Sequence, residues 1–170
     1  MNYNQQNRIN RVFKQKFFLI DTINRENTFS FIISGSTANL YTVEINLDQS
    51  DLESIIVCDC RDSTSWAKRK GVKCKHCCFV IIKVLNILKY QEILDDGIYY
   101  LNPQKYRKLI ADGCYNLHVK QELININYSL KYQTIKNQPQ KSSDKYILTK
   151  EVDQDDDCPI CFDSLHPDRK

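Results

Sequence analysis

The spacing of apolar residues changes period several times along the chain. Between residues 5 and 23, Ile9, Val12, Phe13, Phe17, Ile20 and Ile23 recur at three- and four-residue steps, and Arg8, Arg11, Lys14 and Lys16 fall mostly elsewhere. That spacing predicts an amphipathic helix whose basic face is solvated over an apolar stripe. Thr28–Ser34 and Leu40–Asn46 are instead rich in β-branched and aromatic residues and are separated by Gly35-Ser-Thr-Ala-Asn39, which predicts a hairpin. Residues 47–53 form a polar connection, and residues 54–57 read as a third short strand running into Cys58. Side chains two apart on a strand face the same way, so Cys58 and Cys60 can point at one centre from its end.

Beyond Cys60, Asp62 reads as an N-cap and Gly71 as a C′ residue, bracketing a short helix over 63–70. Residues 76–90 are apolar nearly all round a helix, with Lys83, Asn86 and Lys89 on one narrow polar stripe, so most of that helix must be covered. Asn102-Pro103 opens another predicted helix over 103–111, with Gly113 as its stop. Residues 115–130 are apolar without a clear period, and helix and strand both remain open there. Residues 131–146, with Gln, Lys, Asn, Ser and one Pro, read as a flexible linker. The expected fold is α+β: a three-stranded antiparallel meander with a metal knuckle, packed on a buried helix. The organisation follows as an N-terminal amphipathic helix (1–27), the meander and knuckle (28–92), a helical extension (93–130), a linker (131–157) and a last segment (158–170).

A chain of 170 residues, 42% hydrophobic, can build one ordinary domain with appendages, and its aromatic content argues against wholesale disorder. A net charge of +3 implies no nucleic-acid partner by itself. The N-terminus is polar and unlike a signal peptide, and no apolar run approaches the ~20 residues of a membrane span. Most of the eight cysteines lie in, or directly beside, C-x-C, C-x-H and C-x2-C clusters, the spacing of metal sites in a reducing compartment more than of disulfides. The expected setting is intracellular, cytoplasmic or nuclear, with no membrane role and no secretion.

The densest chemistry is Cys58-Asp-Cys60, thirteen residues, then Cys74-Lys-His76. Three thiols and an imidazole in two local pairs supply the tetrahedral donor set that Zn²⁺ prefers. All four positions are protein ligands, which makes the site structural and leaves no position open for a catalytic water. Cys77 makes a C-x2-C pair with Cys74 and could stand in for His76; it and Cys78 otherwise read as core residues of the helix. Between the ligand pairs, Arg61, Lys68, Arg69, Lys70 and Lys73 surround Trp66. Clustered cations with an aromatic can hold phosphates and stack on a base; equally, Trp66 can pack beneath the knuckle with the cations solvated.

The order and spacing of these ligands resemble the SWIM zinc finger, C-x-C-x(n)-C-x-H. Arg61-Asp62 stands where members often carry Pro-Asp, Trp66 where an aromatic is usual, and His76 opens an apolar helix. The resemblance covers roughly residues 29–90 and implies one structural zinc ion on Cys58, Cys60, Cys74 and His76. It implies binding to DNA or protein without saying which. Asp155-Asp-Asp-Cys158-Pro-Ile-Cys161-Phe-Asp resembles the opening of a RING finger, a domain that docks ubiquitin-conjugating enzymes. Only the first ligand pair of a RING, Cys158 and Cys161, is present, so a second metal site there is incomplete.

No nucleotide-binding glycine loop and no hydrolytic triad is recognisable, so the chain as given reads as having no catalytic residues. The expected function is zinc-dependent, non-catalytic recognition of a protein partner, with the Cys-Pro-Ile-Cys segment pointing to a ubiquitin pathway. The alternatives are DNA binding through the basic inter-ligand loop and a fragment of a SWIM–RING ubiquitin ligase.

Overall fold

The computed structural model describes residues 3–35, 39–87, 94 and 103–137. These belong to one unit, Met1–Pro139; Gln140–Lys170, with Cys158 and Cys161, lies outside the described residues. The architecture is α+β, built on a four-stranded antiparallel sheet of order β1-β2-β3-β4, where three strands were expected.

The extra strand comes from the N-terminal segment. Helix α1 covers Tyr3–Lys14 and stops, and the chain then runs as β1, Phe18–Arg25. The expected helix over 5–23 is therefore half helix and half strand. Phe17, Ile20 and Ile23 share a helical spacing by coincidence, but β-branched Ile20, Thr22 and Ile23 suit a pleated strand, and pairing with β2 decides the outcome. The turn joining β1 to β2 is the two residues Glu26-Asn27, with Glu26 at φ 47°. A register shift between Leu19 and Asp21 adds a residue to β1. Adjacent Leu19 and Ile20 are consequently both buried, Leu19 in the main core and Ile20 outside it.

Strands β2 (Thr28–Ser34) and β3 (Leu40–Asn46) occupy the expected positions, and β4 is Ile56–Cys58. Alternation sends Phe29, Phe31, Ile33, Val43, Ile45, Ile56 and Cys58 into one core face, while Val57 points outward. Helix α4, Lys75–Phe79, crosses that face and widens into a π-helical turn over Val80–Val84. Asn86, at φ 51°, ends it, with the Ile87 N–H reaching back to the Ile81 carbonyl at 3.2 Å. The expected 76–90 helix thus closes early, at a residue type that tolerates the left-handed conformation; residues 88–90 lie outside the described residues.

The inter-ligand segment also differs from expectation. It forms two short helices, α2 (Arg61–Thr64) and α3 (Trp66–Arg69), broken at Ser65. The N-cap is Cys60 and not Asp62, while Gly71 takes the expected left-handed conformation at φ 60°. Helix α5, Pro103–Tyr115, runs through Gly113. A Cβ there would lie 3.1 Å from that of Leu85, so this glycine serves close packing and is not a helix stop. Arg107 on α5 donates to the carbonyls of Leu47 and Ser50, each at 2.9 Å, and to that of Gln49. Helix α6, Ile126–Lys136, replaces the first residues of the expected linker. It lies along β1: Ser129 Oγ donates to the Ile20 carbonyl at 3.2 Å, and Lys136 pairs with Asp21 at 3.0 Å. Among the described residues no helix is long and apolar enough to cross a membrane.

Candidate metal centre

Three separate elements deliver the four expected donors to one place. Cys58 is the last residue of β4, paired with Val43 and facing the core. Cys60, two residues on, caps α2; its sulfur accepts the Ser63 N–H at 3.3 Å. The Cys60 N–H in turn donates to the Cys58 sulfur at 3.4 Å. Cys74 occupies the N-cap position of α4, and His76 sits in that helix's first turn. The donor atoms of Cys58, Cys60, Cys74 and His76 all lie within 4.8 Å of one another, and all four residues are buried. Cys58 Sγ is 3.7 Å from His76 Nδ1. A zinc tetrahedron with bonds of about 2.0–2.3 Å has edges of about 3.5–3.8 Å, so the Cys58–His76 separation matches such an edge, with Nδ1 the imidazole atom that faces Cys58.

Electrostatics point the same way. Hydrogen bonds from Cys58, Cys60 and Cys77 hold the Cys74 thiol well below its usual range. Cys58 is pushed far up, first by its hydrogen bond with Cys60 and then by that with Cys74. At Cys60 the hydrogen bond from Cys58 pulls down, but Cys74 and burial together raise the thiol to about 12. The three thiols thus perturb one another strongly, and in general a bound cation favours the thiolate form of such ligands.

The walls of the site come from residues far away in sequence. Tyr41 stacks on the His76 ring, with centroids 4.1 Å apart, and Phe17 meets it edge-on at 5.9 Å. Gly35 lies against the same pair: a Cβ there would come 2.8 Å from the Tyr41 ring and 3.5 Å from His76 Nε2. That nitrogen is buried without a hydrogen-bond partner among the described residues.

Sequence patterns gave no sign of Gln5. It is 2% exposed on α1 and brackets the residue before Cys74. Its Oε1 accepts the Lys73 N–H at 2.8 Å, and its Nε2 donates to the Lys73 carbonyl at 3.3 Å and to Cys78 Sγ at 3.1 Å. A lone polar residue on an otherwise helical pattern carries no such signal; only the packing of α1 against α4 creates the role.

The residues expected to bind a partner divide into two groups. Arg61, Lys68, Arg69 and Lys70 are exposed on α2, α3 and the following turn. Lys73 is not free: its ammonium donates to the Ile56 carbonyl at 2.8 Å and to that of Glu53, and burial lowers its pKa. Trp66 is half-buried beneath Arg8, whose guanidinium lies 4.5 Å from the ring centroid and forms a two-point ion pair with Asp62, at 2.8 and 3.1 Å. Cys114 is buried and His118 exposed, and among the described residues they join no donor cluster.

What the fold assembles is a buried Cys3His cluster of metal-ligating geometry. No protein-family model, curated protein or solved structure shows significant similarity to the chain.

Proposed function

We propose that this chain is a SWIM-type zinc-finger module: one structural Zn²⁺ on Cys58, Cys60, Cys74 and His76 holds together a surface that recognises a protein partner, without catalysis. The observation that carries this reading is the closure of the donor set. Four buried protein donors satisfy a tetrahedral ion, as in structural sites, whereas catalytic sites keep one position for water or substrate. The ion would tie the end of β4 to the start of α4, the two elements whose union positions α2 and α3. A ubiquitin pathway remains the favoured setting because Cys158-Pro-Ile-Cys161 resembles a RING opening. The ligase-fragment reading turns on whether the remaining RING ligands follow in a longer coding sequence.

The exposed cations Arg61, Lys68, Arg69 and Lys70 favour a second reading, nucleic-acid binding. Against it, Arg8 occupies one face of Trp66, the aromatic a base would stack on. Fluorescence anisotropy of a mixed-sequence DNA duplex separates the two. The protein-binding reading expects no association at physiological salt. Affinity that falls steeply with salt and is lost in Lys68→Ala/Arg69→Ala/Lys70→Ala would replace it with the nucleic-acid reading.

A further inference from the structure

A fifth donor stands beside the proposed centre. Cys77 is fully buried on α4, and its sulfur is 3.6 Å from that of Cys74. That separation matches one edge of a zinc tetrahedron, about 3.7 Å. The neighbouring Cys78 is equally buried but turns away to Gln5. The two thiols are thus distinguished by direction and not by burial. His76, for its part, is held by ring packing against Tyr41 and Phe17 and not by a hydrogen bond at Nε2. Metal-bound histidines almost always donate their second ring N–H to a partner, and His76 Nε2 has none among the described residues.

We infer that the centre is a five-donor site in which Cys77 is a reserve ligand, taking the ion's fourth position whenever His76 leaves it. The exchange breaks the bond from His76 Nδ1 and forms one from Cys77 Sγ. The thiol proton goes to the released imidazole, so charge balances and no oxidant is needed. The consequence is retention of the ion, and of the β4–α4 junction, through local opening around His76. This inference rests on the Cys3His centre proposed above.

Cobalt substitution tests it. Wild-type protein should bind one Co²⁺ with a tetrahedral spectrum; failure to do so withdraws the centre itself and the reserve ligand with it. His76→Ala should still bind one Co²⁺, with sulfur-to-cobalt charge-transfer absorption higher by about a third, as four thiolates replace three. His76→Ala/Cys77→Ala should then lose on the order of a hundredfold in affinity relative to His76→Ala. A three-thiolate band in His76→Ala, or equal affinity in the single and double variants, overturns the inference. Zinc transfer to a chelator decides the matter even if His76→Ala fails to fold. Cys77→Ala should release zinc on the order of tenfold faster than wild type, with Cys78→Ala unchanged. Equal release from wild type and Cys77→Ala, or equal acceleration by both variants, overturns it.

Discussion

Two buried polar side chains carry opposite expectations. Gln5 satisfies both backbone groups of Lys73, so Gln5→Leu leaves that N–H and carbonyl short of partners in the wall of the centre. A loss of about 2 kcal/mol is expected in urea unfolding of the zinc-loaded protein. An unchanged midpoint would show that α1 does not brace the ligand loop. Tyr106 on α5 is the converse. It is fully buried, its hydroxyl has no partner among the described residues, and burial, with the nearby Cys77 a smaller cause, pushes its pKa up. Tyr106→Phe removes an unmatched polar group without changing shape, and its thermal midpoint should equal or exceed that of wild type. A fall of several degrees would mean that the hydroxyl is hydrogen-bonded after all.

At the scale of elements, the β1–β2 hairpin holds the clearest strain. Glu26 occupies the first position of a two-residue turn at φ 47°, where a side chain is disfavoured and glycine is not. Glu26→Gly should stabilise the fold by about 0.5–1 kcal/mol, read from the denaturation midpoint; destabilisation would contradict this turn geometry. The same hairpin shows where sequence reading stopped. β2 and β3 were legible because Gly35–Asn39 separates two β-branched runs and nothing competes with that pattern. β1 was not, because its apolar residues also fit a helical period and Glu-Asn is a weak turn signal. The donor set was legible because metal chemistry needs paired ligands at short spacing. Its walls were not: Phe17, Tyr41 and Gln5 reach His76 and Lys73 from the α1–β1 connection, β3 and α1, dozens of residues away. Likewise, Lys73 looked like one more cation of the loop until the fold put its ammonium on two carbonyls.

For the molecule as a whole, the metal centre lies at the seam between sheet and covering helix. Cys58 belongs to the sheet and Cys74 and His76 to α4, and both elements contribute to one core. Removing an ion bound to this Cys3His cluster should therefore loosen the β4–α4 junction and not merely a surface loop. Structural zinc contributes about 10–16 kcal/mol in small zinc-finger peptides, comparable to the entire margin of about 5–15 kcal/mol by which domains are stable. Native mass spectrometry of zinc-loaded wild type and Cys58→Ser/Cys60→Ser, with circular dichroism on the same samples, addresses this directly, because that variant keeps only three donors even with Cys77 counted. The Cys3His account predicts one tightly held Zn²⁺ per wild-type chain, and loss of both zinc and ordered structure in Cys58→Ser/Cys60→Ser. A double variant that keeps its zinc and its fold would contradict it.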